Sequence, residues 1–423
     1  MIRIATLVLL VLPVVATAQD SSADKGDWPQ WRGPHRDAIC TETGLLKEWP
    51  KEGPPLLWKH TGLGGGYSTP AIVNGKLYGM SYRGNDEVVW CFDDATRKEL
   101  WVAKIAPKGK AGYNEGSRCT PTIDGDRLYA VGVSGELVCI ETATGRVVWK
   151  KSFVGSFDGK MMSGWGFSES PLVDGDHVIV TPGGDDAALV ALNKKDGSTI
   201  WKASIPGGGG AGYASVMPAE IGGERLYITL LGHALVGVSA KDGKLLWEYK
   251  KVANSTANIP TVLVRGDIVF ASTAYNTGSA VLRLVKKGDG VDVEEIKFLG
   301  PKVLQNHHGG MVLVGDHVYC GHGSNNGAPV CVEFATGNVA WRQERGAGRG
   351  SAAVLYADGN IIFRWDDGTV GLVEANPKEF KMHGSFKQPD RSKANAWSHP
   401  VIVHGKMYLR DQDVLLCYDV KAK

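Results

Sequence analysis

The sequence predicts an all-β chain, an eight-bladed β-propeller of four-stranded antiparallel blades closed into a ring by an N-terminal strand. Three observations carry that expectation. A pattern recurs about every 47 residues, and self-similarity on that scale marks solenoids and propellers. Each copy opens on a short apolar run, broken in the clearest copies by Asn-Gly or Asp-Gly, the strongest short-range hairpin signal. Four copies close on Gly-x-x-x-Trp, and a fifth differs only in the glycine.

The opening half reads Pro70-Ala-Ile-Val-Asn-Gly-Lys-Leu-Tyr78, and it returns at Pro121–Tyr129, Pro171–Ile179 and Pro400–Tyr408. Looser copies begin at Pro218, Pro260, Met311 and Ala353, which makes eight. Glycine belongs in these turns because primed turns need positive φ.

The closing half appears as Gly145-Arg-Val-Val-Trp149, Gly197-Ser-Thr-Ile-Trp201, Gly243-Lys-Leu-Leu-Trp247 and Gly337-Asn-Val-Ala-Trp341, with Arg97 in place of glycine before Trp101. Two copies are degenerate and offer only Val293 and Phe380 where tryptophan is expected. A large aromatic at one repeated place is expected to wedge adjacent sheets together. Trp58, Trp101, Trp149, Trp201, Trp247 and Trp341 are therefore read as blade-docking residues.

The eighth copy reaches Lys423 without its own Gly-x-x-x-Trp, while Pro55-Leu-Leu-Trp58 precedes the first copy. Pairing that strand with the last blade removes exposed sheet edges. Residues 55–423 are thus expected to form one propeller domain after an N-terminal extension, 19–54. Within the extension, Asp27-Trp-Pro-Gln-Trp-Arg-Gly-Pro34 is expected to cap one face or groove, or to offer its aromatics to a partner.

Residues 1–18 read as an export signal: Arg3, an apolar run from Ile4 to Val15, then Ala16-Thr17-Ala18. A periplasmic or secreted protein is expected. No later stretch approaches the roughly 20 apolar residues of a membrane span. Lysine plus arginine number 47 against 45 acidic residues, interspersed, so no basic stripe suits nucleic acid. A monomer is expected.

Seven cysteines do not make a disulfide framework. Cys91, Cys139, Cys331 and Cys417 share one repeat position, filled elsewhere by Ala191 and Gly237, and read as small core residues. Cys320 and Cys331, on neighbouring strands, are the one pair to test for a disulfide.

The Gly-x-x-x-Trp closure with its upstream hairpin resembles the pyrroloquinoline-quinone-like repeat over nearly the whole mature chain. That family is similar in blade pattern across quinoprotein alcohol dehydrogenases and BamB, a propeller lipoprotein of bacterial outer-membrane assembly. The resemblance implies the fold, and fold does not choose a function.

In such propellers the segments entering the innermost strands converge on a central funnel, the natural place for a small ligand. These segments repeat in place but not in residue type, and unlike polar and aromatic groups on a repeating frame point to a site. Candidate ligand-binding residues are Tyr67, Glu115, Arg118, Trp165, Glu169 and Tyr213, continued by Asn258, His307, His308, Arg349, Trp397 and His399. Glu115, Arg118, Glu169 and Arg349 could instead form salt bridges that neutralise a crowded channel.

No metal site is expected: His307 and His308 are adjacent, and on a strand they would face opposite ways. The Gly207–Gly212 run lacks the Gly-Lys-Ser/Thr ending and helix of a phosphate loop and reads as a flexible inter-blade loop. Asp185-Asp186 reads as a solvated turn.

The methanol-dehydrogenase-like quinoproteins are marked by adjacent cysteines, and no two cysteines here are adjacent. Cys-x-x-Cys-His for covalent haem is also missing. A non-catalytic, BamB-like binding or assembly scaffold without cofactor is the first expectation, its protein partner or small-molecule ligand unidentified. The alternative is a dehydrogenase of alcohols or sugars using pyrroloquinoline quinone with calcium, drawing carboxylates from Glu115 and Glu169. A glycan-binding propeller, resting on Tyr67, Trp165, Tyr213 and Trp397, is a second alternative. For the BamB-like reading, the absence of a cysteine near residue 18 is a difficulty.

Overall fold

Eight two-residue turns set the frame. In the computed structural model, which describes residues 26–423 apart from Asn114, every blade begins with a tight hairpin between its first two strands. Asn74-Gly75, Gly222-Gly223, Asp358-Gly359 and His404-Gly405 have both residues at positive φ, as a type I′ turn demands. In the other four, Gly125, Gly175, Gly266 and Gly315 carry positive φ ahead of an aspartate, the type II′ sign pattern. The export-signal segment, 1–18, lies outside the described residues.

Each turn launches a four-stranded antiparallel sheet. Blade 1 holds Ala71–Val73, Lys76–Arg83, Asp86–Asp93 and Glu99–Pro107. The next six begin at Thr122, Leu172, Met217, Leu263, Met311 and Ala352. Blade 8 takes Val401–Val403, Lys406–Asp411 and Val414–Asp419, and its fourth strand is Leu56–His60, with Trp58 opposite Cys417. Ring closure by the N-terminal strand is as the sequence predicts. Among the described residues the only α-helix is Phe153–Phe157, and no helix is long and apolar enough to cross a membrane.

The repeated tryptophan and the repeated glycine explain each other. The Trp101 indole donates from Nε1 to the Thr142 carbonyl of blade 2 (2.9 Å), Trp149 to Lys194 of blade 3 (3.1 Å), and Trp201 to Ala240 of blade 4 (3.0 Å). Each acceptor lies three residues before the motif glycine. That glycine lies under the ring: a Cβ on Gly145, Gly197 or Gly243 would come within 2.7, 2.8 or 2.5 Å of it. Trp341 likewise donates to Asn376 of blade 7 (2.8 Å).

Trp247 packs with Leu284 and Val291 of blade 5, whose last two strands run longer and move the turn outward. Trp58 meets Arg97, at φ +59°, and Phe92 around a void of about 10 Å³.

The two degenerate copies differ from the sequence reading. Strand register puts Lys297 opposite Val281, and Gly384 opposite Leu372, at the tryptophan position; Val293 and Phe380 are elsewhere. The cause is the longer hairpin between the last two strands, since the β-bulge beside that position is shared with the regular blades. Lys297 lays its stem against Gly337 and donates to Asn338 Oδ1 (2.8 Å), taking over the indole's task. Beside Gly384 the space is taken by Trp49 of the N-terminal extension.

Cys91, Cys139, Cys331 and Cys417 each lie between a tyrosine and a tryptophan of the flanking strands, as in Tyr129–Cys139–Trp149. A small side chain there lets two rings close over it. All seven cysteines are buried and free. Cys320 and Cys331 form no bond, because Cys320 pairs with Val330 and so points to the opposite sheet face from Cys331.

Gly207–Gly212 is a held loop rather than a flexible one. Backbone bonds tie Gly208 and Gly210 to residues 232–233 and Ala211 to Lys160 and Met162. A Cβ on Gly212 would meet the Leu230 carbonyl at 2.2 Å, so glycine is required by packing.

Candidate functional site

The N-terminal extension turns a channel into a pocket. Its backbone pairs Trp28 with Ile72 of blade 1 and Pro29 with Ile123 of blade 2, while Ile39–Cys40 adds a parallel strand to blade 7. Arg36, fully buried, donates to the carbonyls of Ser170 (2.7 Å) and Pro171 (3.1 Å) at the entrance to blade 3. Arg32 donates to the Met311 carbonyl of blade 6. Asp27 and Glu42 accept from the turns at Asn74 and His404-Gly405. The plug therefore occupies the face carrying the primed turns, as the sequence-level cap expectation holds, and the funnel opens on the opposite face.

Above the plug lies a cavity of about 350 Å³ whose floor includes Trp31, hydrogen-bonded through Nε1 to Thr261 Oγ1 (3.1 Å). Of the twelve candidate residues, Tyr67, Arg118, Trp165 and Tyr213 line it, as do His307, His308, Trp397 and His399. Their loops come from blades on both sides of the ring, so ring closure is what assembles the wall.

Four candidates do not line it. Glu169 is buried in the wall, accepts from the Thr181 amide (2.6 Å) and feels the charge of Arg36; burial pushes its carboxyl up to about 7. Asn258 is fully buried and spends its amide on the Leu231 and Gly232 carbonyls (2.8 and 3.0 Å), a structural role. Arg349 is exposed. Glu115 is half-buried outside the lining, close to the Tyr67 hydroxyl, and burial reinforced by that carboxylate raises the Tyr67 phenol above its ordinary value. Of the candidates Glu115, Arg118, Glu169, Arg349 and Trp397, therefore, only Arg118 and Trp397 meet in the cavity.

His307 and His308 are in a loop rather than on a strand, and both rings face the cavity with centroids 4.0 Å apart. The alternation rule applies only to extended chain. His308 stacks flat on Trp397 (4.1 Å, 5° between planes). His307 bonds Ser351 Oγ (2.7 Å) through Nδ1 and Tyr275 Oη (2.8 Å) through Nε2. Burial lowers all three imidazoles, His307 to about 4, His399 to about 3 and His308 well below its ordinary value, so they are neutral at physiological pH. Among the described residues no three His, Cys, Asp or Glu side chains are arranged to hold a metal ion.

Arg118 is the one charged side chain in the lining. It donates to the carbonyls of Gly116 (2.9 Å), Gly112 (2.7 Å) and Tyr113 (2.8 Å) and stands over the Tyr67 ring, 5.9 Å from its centroid. Protein calcium sites are built from several oxygen ligands with carboxylates among them, and the lining carries no Asp or Glu. These residues do not fit a quinone held through calcium.

The sequence reading missed Tyr113, Tyr275, Ser324 and Asn325 in the lining. Tyr275 and Asn325 come from loops joining second and third strands in blades 5 and 6, which reach the same face as the entry segments. The signal was available in residue type: Ala-Tyr-Asn-Thr-Gly278 and Gly-Ser-Asn-Asn-Gly327 carry polar and aromatic residues as the entry segments do.

The comparisons agree with this architecture. The family model described as outer membrane protein assembly factor BamB matches residues 85–343. The outer membrane protein assembly factor BamB of Shewanella oneidensis is 23% identical over 261 residues, covering 58% of this chain and 60% of that protein. The chain thus spans less than two thirds of that relative's length. The crystal structure of BamB from Moraxella catarrhalis superposes with a TM-score of 0.61 at 13% identity, covering 86% of this chain and 99% of that one. Quinohemoprotein alcohol dehydrogenase from Comamonas testosteroni gives 0.64 at 13% identity over 94% and 81%. Likeness at that identity is likeness of fold, whereas the family model covers more than half of the chain: it belongs to the BamB family of propellers built on pyrroloquinoline-quinone-like repeats.

Proposed function

We propose that the protein is a non-catalytic binding or assembly scaffold, exported to the periplasm or secreted, that holds a ligand or partner group in the plugged funnel. The observation that carries this reading is the composition of the lining: aromatic rings, hydroxyls and neutral imidazoles around one arginine, with no carboxylate. Such a wall orients a ligand by shape and hydrogen bonds. It offers no anionic general base and no anionic metal ligand.

Membership in a family described by outer-membrane assembly supports a scaffold role for this chain as well. The test is to purify the protein, survey it for bound quinone by absorbance and mass, and assay reduction of an artificial electron acceptor with simple alcohols and sugars, with and without calcium. A scaffold carries no quinone and reduces no dye. Stoichiometric quinone with calcium-dependent dye reduction, abolished by Glu169→Gln, would replace this reading with the dehydrogenase one.

A further inference from the structure

We infer that the funnel binds an acidic monosaccharide, a sugar ring bearing one carboxylate, with the carboxylate on Arg118 and the ring among the aromatics. The inference rests on the binding-scaffold reading and specifies its ligand. Three independent features of the cavity lead to it.

The first is charge. Glu115 and Glu87 act on the charge of Arg118 from a distance, but no salt bridge joins it to a carboxylate among the described residues. Among the described residues its acceptors are three backbone carbonyls, and none of these bonds uses Nε–H. Behind the floor, the buried Arg32 Nη1 lies beside Gly310 of the lining with no hydrogen-bond partner among the described residues. Unspent donors in a partly desolvated site favour an anion, and a guanidinium matches a carboxylate best.

The second is surface type. Trp31, Trp165, Tyr213 and Tyr275 supply ring faces or edges, and hydroxyls and side-chain amides such as Asn325 and Asn395 lie among them. A wall that alternates aromatic faces with hydrogen-bonding groups suits a molecule with apolar C–H faces and hydroxyl edges, which describes a pyranose. The cavity is near the lower end of the ligand-pocket range of about 300–1,000 Å³, and one small ring fits it.

The third is backbone strain. Tyr113 and Tyr275, both in the lining, have φ of +51° and +54°. Bulky residues rarely adopt that region, and such outliers concentrate at ligand sites. Here they hold two phenols over the cavity, where Tyr113 packs edge-on against Trp397 (5.1 Å).

The test is calorimetric titration and tryptophan fluorescence of the full protein with D-glucuronate and D-galacturonate. Glucose serves as the neutral ring, acetate as the anion without a ring and benzoate as the aromatic acid. A uronate is expected to bind at least about tenfold more tightly than glucose, acetate or benzoate, as a charge-assisted hydrogen bond warrants. Arg118→Gln should cost about tenfold, Arg118→Lys less, and Arg349→Gln nothing, each variant checked for an unchanged melting curve.

Glucose binding as tightly as uronate, benzoate binding more tightly, or uronate binding indifferent to Arg118→Gln would each overturn the inference. So would no binding of any probe. None of those outcomes touches the scaffold reading, which falls only on the quinone and dye-reduction assay.

Discussion

The indole of Trp149 covers Gly197 of the next blade so closely that a Cβ there would sit 2.8 Å from the ring, while its Nε1 donates to Lys194 three residues earlier. Two letters of the repeated motif, in neighbouring copies, are thus one contact. Trp149→Ala or Trp247→Ala should lower stability by roughly 3–5 kcal/mol, as truncating packed aromatics does. Gly197→Ala, at φ +71° under a ring, should cost about 1–3 kcal/mol. Denaturant melts measure both, and losses below about 1 kcal/mol would mean that the seam is not held by this contact.

Cysteine chemistry gives a second expectation. Burial pushes the thiols up to about 11 for Cys139, about 12 for Cys40, Cys91, Cys119, Cys331 and Cys417, and further for Cys320. The thiolate is the reactive form. A chromogenic disulfide reagent at mild alkaline pH should therefore titrate no thiols in the native protein and all seven after unfolding. Rapid reaction of the native protein would show blades opening under native conditions.

Stability should also depend on pH through three buried carboxyls. Glu87, Glu169 and Asp366 are each pushed up to about 7, chiefly by burial. A raised folded value means that the native state holds the proton while the unfolded chain has released it. Their contribution is complete below the ordinary carboxyl range and is lost as pH rises towards 7. The lowered histidines act in the opposite sense and favour the native state as pH rises to about 6.5. Glu169→Gln removes one carboxyl from the balance, so its melting temperature relative to the parent should increase between pH 5 and pH 8. A constant difference across that range would mean that Glu169 titrates normally.

The plug can be tested at Arg36. Replacing it with methionine strands the Ser170 and Pro171 carbonyls, each bonded to its guanidinium, and should cost about 2–4 kcal/mol. Trp31→Ala should be milder, because that ring is half-buried, yet it should open the cavity floor and weaken any ligand held there. Thermal melts separate the two effects, and equal stability losses would argue against Trp31 as a lining residue.

Blade number, turn chemistry, the displaced closing strand and most of the tryptophan wedges could be read directly from residue order. Each is a local requirement repeated at a fixed period: a primed turn needs glycine at positive φ, and a seam needs a ring with room beneath it. Where the period itself changed, at Lys297 and Gly384, the reading failed, because a longer hairpin shifts the count by a few residues.

The site was legible only as a set of loops, and its membership was settled by contacts between distant parts of the chain. Arg36 reaches Pro171 across 135 positions and Trp31 reaches Thr261 across 230. Those contacts turn a channel into a pocket, put Glu169 inside the wall, leave Arg349 outside, and bring both histidines of the 307–308 pair to one surface. No periodic signal encodes them. They follow from closing the ring, which decides which of eight unlike loops face one another.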